Sequence, residues 1–114
     1  MTTHHPFSLS PSELKEKLDR NENIFLLDVR EIYEVQLASL NAVNIPLGEL
    51  SARVSELGDP DANREVVVLC HHGIRSATAV NFLRDKGFLS AKNLRGGIDR
   101  WSLEIDPSVP RYGK

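Results

Sequence analysis

VVVLCHHGIRSATAV occupies positions 66–80, and its reading decides the fold. Residues 66–70 are apolar or cysteine at every position. A half-exposed strand alternates apolar with polar residues; an unbroken apolar run marks a central parallel strand covered on both faces. The stretch from Ser76 to Lys86 places Ala79, Val80 and Leu83 on one helical face, and Gly87 stops it. The unit is therefore strand, loop and helix, with Cys70 at the carboxyl end of the strand. Open parallel sheets form their sites beyond those ends.

Elements of the same kind extend in both directions. Residues 1–9 read as a lead-in. Ser10-Pro11-Ser12-Glu13 carries a cap, a proline for the first helical position and the acid of a capping box, so a helix runs from about Pro11 to Arg20. NIFLLDV (23–29) reads as a buried strand, REIYEVQLA (30–38) as a short helix, and AVNIPL (42–47) as a second strand stopped by Pro46. In 47–57, Leu47, Leu50, Val54 and Leu57 share one helical face, and 58–65 is a loop. AKNLRGG (91–97) is a last strand entering a double-glycine turn. IDRWSLEI (98–105) is a short helix, and the proline-punctuated tail from 105 onward lies along the surface. Strands alternating with helices imply an α/β fold, a mostly parallel sheet with helices on both faces.

The chain has 114 residues, which fits one domain with a core at about 8–104 and a tail at 105–114. Its net charge of −2 gives no case for nucleic acid. No apolar run reaches the length of a membrane span, so no membrane partner is expected. The start lacks a charged and then apolar leader, and a lone cysteine forms no internal disulfide. Both point to a reducing, cytoplasmic setting. His4 and His5 are two adjacent histidines near the start, more simply solvated than ligating.

CHHGIRS (70–76) gathers the one cysteine, two of the four histidines and an arginine round one glycine. A thiolate, not a thiol, is the nucleophile, and four features favour one here. The loop opens a helix, whose N-terminus attracts negative charge. Arg75 is a permanent cation, and His71 or His72 is a titrating one. Gly73 lets the backbone turn so that amide N–H groups converge on one centre. With Ile74 and Ser76 these residues form a cradle for a thiolate, a persulfide or an anionic substrate. Cys70 is the catalytic candidate over a merely buried cysteine, and one of the two histidines is expected to touch the substrate. Arg75 either attracts that substrate or braces the loop by pairing with Asp28 or Glu31. Asp28 and Arg30 end their strand at the same sheet edge and read first as a structural ion pair. Gly96 and Gly97 permit a tight turn. No usual metal-ligand spacing is present.

LLDVRE (26–31), AVNIPL (42–47), VVVLCHHGIRSATAVNFLRDKGF (66–88) and NLRGGIDRW (93–101) together resemble, in order, the signatures of single-domain rhodanese sulfurtransferases. The resemblance covers roughly residues 8–104. It implies a small, central, mostly parallel five-stranded sheet. It implies that Cys70 takes sulfur from thiosulfate or a protein persulfide and passes it to cyanide, a thiol or a sulfur-carrier pathway, with no metal or organic cofactor. A cysteine desulfurase or a sulfur-carrier protein becomes an expected partner. In that family the glycine turn lies near the site, so Gly96 and Gly97 are expected to keep the entrance open. IDPSVPRY at the tail resembles the end of rhodanese domains fused to activating enzymes of ubiquitin-like proteins. The family's His-Ile-Pro-Gly-Ala segment is replaced by Ala38-Ser39-Leu40-Asn41-Ala42, which bears on access to the site. Two other readings stand beside this one. A non-catalytic binding module of the same fold would not need Cys70. An arsenate reductase or phosphatase would need a Cys-to-Arg loop one residue longer.

Overall fold

The computed structural model describes residues 7–113; the His4–His5 pair and the leader reading fall outside the described residues. The elements are β1 (Ser8–Leu9), α1 (Pro11–Asp19), β2 (Ile24–Asp28), α2 (Ile32–Leu37), β3 (Val43–Asn44), α3 (Leu50–Arg53), β4 (Glu65–Leu69), α4 (Ile74–Asp85), β5 (Lys92–Leu94) and α5 (Gly97–Glu104). All pairings are parallel, in the order β1-β5-β4-β2-β3.

The apolar run 66–70 sits at the centre because both of its faces are covered. Side chains alternate along a strand. Val66, Val68 and Cys70 therefore pack with Ala79, Val80 and Leu83 of α4 and with Leu50 of α3. Val67 and Leu69 pack on the other face with Leu14 of α1 and with Ile98 and Trp101 of α5. Fully burying a valine or leucine contributes about 1.5–3 kcal/mol, so a polar residue on either face of this strand would be costly. In the register, Leu27 lies opposite Val68 and Asp28 opposite Leu69, which brings the end of β2 beside Cys70.

The capping box at α1 is complete: Ser10 Oγ accepts from Glu13 N–H at 3.1 Å and Glu13 Oε1 from Ser10 N–H at 2.7 Å. Three local readings differ from the structure. The supposed lead-in holds β1, a two-residue edge strand whose identity comes from β5: Asn93 N–H donates to Phe7 C=O and Arg95 N–H to Leu9 C=O. Segment 47–57 is three short turns, 3₁₀ at Leu47–Glu49 and Val54–Leu57 with α3 between, although its apolar face packs as the spacing requires. The tail does not simply lie on the surface. Ile105, Val109 and Tyr112 pack against the second core cluster. Among the described residues no helix is long and apolar enough to cross a membrane.

Arg30 is 0% exposed, the largest fully buried side chain. Its Nε and Nη2 bind the Asp28 carboxylate at 2.6–3.1 Å, Nη2 also donates to Ala38 C=O at 2.7 Å, and Nη1 donates to Glu34 C=O at 3.2 Å and Tyr112 Oη at 2.8 Å. All five N–H groups have acceptors, which is the condition for burying a guanidinium. Replacement Arg30→Ala leaves the Asp28 carboxylate buried without its cation, and a loss of about 3–5 kcal/mol is expected in urea unfolding. A loss under 1 kcal/mol would show that the pair is not a structural requirement.

Candidate active site

The cradle begins where β4 ends. Gly73 takes the left-handed conformation, φ 100° and ψ 0°, and becomes the N-cap of α4. The chain can enter the helix this sharply because no Cβ is present. The helix therefore starts at Ile74, two residues before the expected Ser76, and Arg75 and Ser76 belong to its first turn. Ile74 points outward and is 79% exposed.

The turn closes on sulfur. Cys70 Sγ accepts from Gly73 N–H at 3.1 Å and Ser76 N–H at 3.3 Å, and lies 3.2 Å from Ser76 Oγ. Ser76 Oγ donates its one proton to Asn93 Oδ1 at 2.5 Å, so a neutral Cys70 thiol is the donor in the Sγ–Oγ pair. Asn93 also donates from Nδ2 to Gly73 C=O at 3.0 Å, tying β5 to the loop. Cys70 itself is 1% exposed.

Arg75 departs from its expected partners. It does not pair with Asp28 or Glu31. It forms a two-pronged bridge to Glu34 on α2, Nη1–Oε1 2.6 Å and Nη2–Oε2 2.8 Å. Asp28 is held by Arg30, and only the first turn of α2 brings a carboxylate to Arg75. Glu34 also accepts from Glu31 N–H at 3.1 Å and the Tyr112 hydroxyl at 2.9 Å. Chiefly through the Arg75 guanidinium, its carboxyl is held down from 4.5 to about 2, and the Arg75 pKa is raised in turn.

The two histidines diverge. His71 stacks on Tyr112, ring centroids 4.0 Å apart and planes 8° apart, and burial first, then His72, lowers its pKa. His72 is half exposed, with Nδ1 3.9 Å from Asp99 Oδ2. It lines, with Gly73, Ile74, Asn93, Arg95 and Gly96, a cavity of about 280 Å³ beside the loop. Of the two, His72 is the one that faces this cavity. Gly97 does not hold an entrance open. With φ 63° it presses on the loop backbone, and Ile98 N–H donates to Cys70 C=O at 2.9 Å and Asp99 N–H to His71 C=O at 3.1 Å. Ser39 and Asn41 of the altered segment line a separate cleft of about 240 Å³ with Leu14, Trp101 and Val109.

Glu34, Asn93, Asp99 and Tyr112 were not singled out from the sequence. Glu34 had a usable signal, being three residues after Glu31 in a helix N-terminus. Tyr112 had only the tail resemblance.

Two outcomes are expected. Gly97→Ala combines a left-handed φ with a Cβ that overlaps the Cys70 and His71 carbonyls. It should cost at least about 1–3 kcal/mol in urea unfolding, and a neutral result would contradict the tight approach. The Glu34–Arg75 pair has a folded carboxyl pKa below the unfolded value. Its contribution is full above pH 4.5 and is lost as pH falls toward about 2. Glu34→Gln should flatten the fall of unfolding free energy across that window. An unchanged slope counts against the pairing.

The rhodanese-like domain model matches residues 10–104. Arabidopsis thaliana MOCS3, named an adenylyltransferase and sulfurtransferase, is 38% identical over 91% of this chain and 25% of its own length. The chain thus spans about a quarter of such relatives. YtwF of Bacillus subtilis, provisionally named a sulfurtransferase, is 34% identical over 87% of this chain and 93% of its own. A rhodanese-related protein from Thermoplasma volcanium superposes with a TM-score of 0.76 at 35% identity, covering 90% of this chain and 96% of its own. With a family model that covers residues 10–104 and a five-stranded parallel sheet that superposes on a relative of 35% identity, the chain belongs to the rhodanese-like domain family.

Proposed function

We propose that the protein is a sulfurtransferase that carries sulfur as a persulfide on Cys70. The observation that carries this reading is the convergence of the Gly73 and Ser76 N–H groups on Sγ at the start of α4. Donors aimed at sulfur lower the energy of a thiolate and of the charge that develops during transfer. The names of the sulfurtransferase relatives support the same class of reaction.

The reaction divides into two displacements. The Cys70 thiolate attacks the outer sulfur of thiosulfate; a new S–S bond forms, and the donor's S–S bond breaks with its electron pair leaving on sulfite. A protein persulfide serves in the same way, with a thiolate as leaving group. Cyanide or an acceptor thiolate then attacks the outer sulfur, and the Cys70 thiolate is released. Two half-reactions through one covalent intermediate give ping-pong kinetics. The Ser76 hydroxyl can turn from Asn93 to the sulfur once the thiol proton is lost, adding a third donor to the cradle. Arg75, already held by two bonds to Glu34, acts first as a brace of the helix start.

The protein incubated with thiosulfate and weighed intact without reductant should gain one sulfur atom. Cyanide should discharge it as thiocyanate, and Cys70→Ala should show no gain. Absence of loading from both thiosulfate and a protein persulfide would overturn the proposal.

A further inference from the structure

Tyr112 lies in the segment after α5, far in sequence from the loop, yet it touches the loop at His71 and two residues that support it, Arg30 and Glu34. Its hydroxyl accepts from Arg30 Nη1 at 2.8 Å and donates to Glu34 Oε2 at 2.9 Å. Glu34 in turn grips Arg75, in the turn whose next residue, Ser76, donates to sulfur. Its ring stacks on His71, the residue after Cys70. Among the described residues no hydrogen-bond partner meets the buried His71 Nε2. The segment is pinned just before the stack. Arg111 Nε donates to Asp99 Oδ1 at 2.8 Å, Asp99 N–H holds His71 C=O, and Ser102 Oγ donates to Val109 C=O. Loop and tail are thus tied to each other and both to α5.

We propose that Tyr112 is a positioning residue for sulfur transfer, and that residues 109–113 form a clasp that sets the cradle around Cys70. This rests on the persulfide reading above. The hydroxyl fixes the Glu34–Arg75 bridge, and therefore the first turn of α4. The ring fixes His71, and therefore the strand end that presents sulfur. Burial above all pushes the Tyr112 pKa up to about 12, so the hydroxyl keeps the proton it donates to Glu34. Covalent transfer is sensitive to such placement, since a shift of about 1 Å at the reacting atoms costs on the order of a hundredfold in rate.

Three variants separate the parts. Tyr112→Phe keeps the ring and loses the hydroxyl; Tyr112→Ala loses both; Ser108→Ala alters the residue just before the clasp, whose side chain, among the described residues, bonds to Asp106. Loading of Cys70 from thiosulfate is measured against donor concentration, with urea unfolding and the rate of Cys70 alkylation by iodoacetamide alongside. The saturating loading rate should fall about tenfold in Tyr112→Phe and about a hundredfold in Tyr112→Ala, with the half-saturating concentration and Ser108→Ala near wild type. Rates for both Tyr112 variants equal to that of Ser108→Ala, or reduced only by the unfolded fraction, would overturn the clasp. If the wild-type protein never loads, the persulfide reading fails, and alkylation decides the clasp alone: a changed rate in Tyr112→Phe keeps it, an unchanged rate removes it.

Discussion

The structure depends on one buried guanidinium. Arg30 leaves the end of β2 and turns into the protein, where its five N–H groups meet Asp28, Ala38, Glu34 and Tyr112. A charge in that position is tolerated only when every donor is matched. Matching them draws together β2, both ends of α2 and the segment after α5. Glu34 and Tyr112, once placed, hold Arg75 and His71. The geometry at sulfur is therefore downstream of an ion pair that does not touch sulfur.

The charges near the loop are largely cancelled in pairs: Asp28 with Arg30, Glu34 with Arg75, Asp99 with Arg111. Burial also keeps the His71 pKa low. On the persulfide reading proposed above, stabilisation of an anion on Cys70 falls to the oriented backbone amides of Gly73 and Ser76. Such donors are fixed before the reaction and need no rearrangement during it, which is the property that makes electrostatic preorganisation effective. His72 and Arg95 line the cavity alongside.

Much of this was legible in the residues. The apolar run 66–70 specified a two-sided central strand, because each of its faces needed a cover and only a doubly covered parallel strand provides two. Ser10, Pro11 and Glu13 specified the start of α1, because caps act within four residues. The strand–loop–helix unit and its glycine placed Cys70 just beyond the carboxyl end of the central strand, at the start of a helix. Less legible were β1, whose two residues are a strand only because β5 offers a partner, and 47–57, where a helical apolar spacing is met by short 3₁₀ and α turns.

The sequence by itself determined the layer order of the sheet's core, the loop and its cysteine, since these follow from local period, local caps and backbone freedom at Gly73. Only the tertiary structure decided the partner of Arg75, the divergence of His71 and His72, and the place of Tyr112. Each of those is a contact between residues distant in the chain, up to 82 positions for Arg30 and Tyr112. No local pattern encodes such a contact. It arises when the burial of one charge leaves donors and acceptors that the rest of the fold must satisfy.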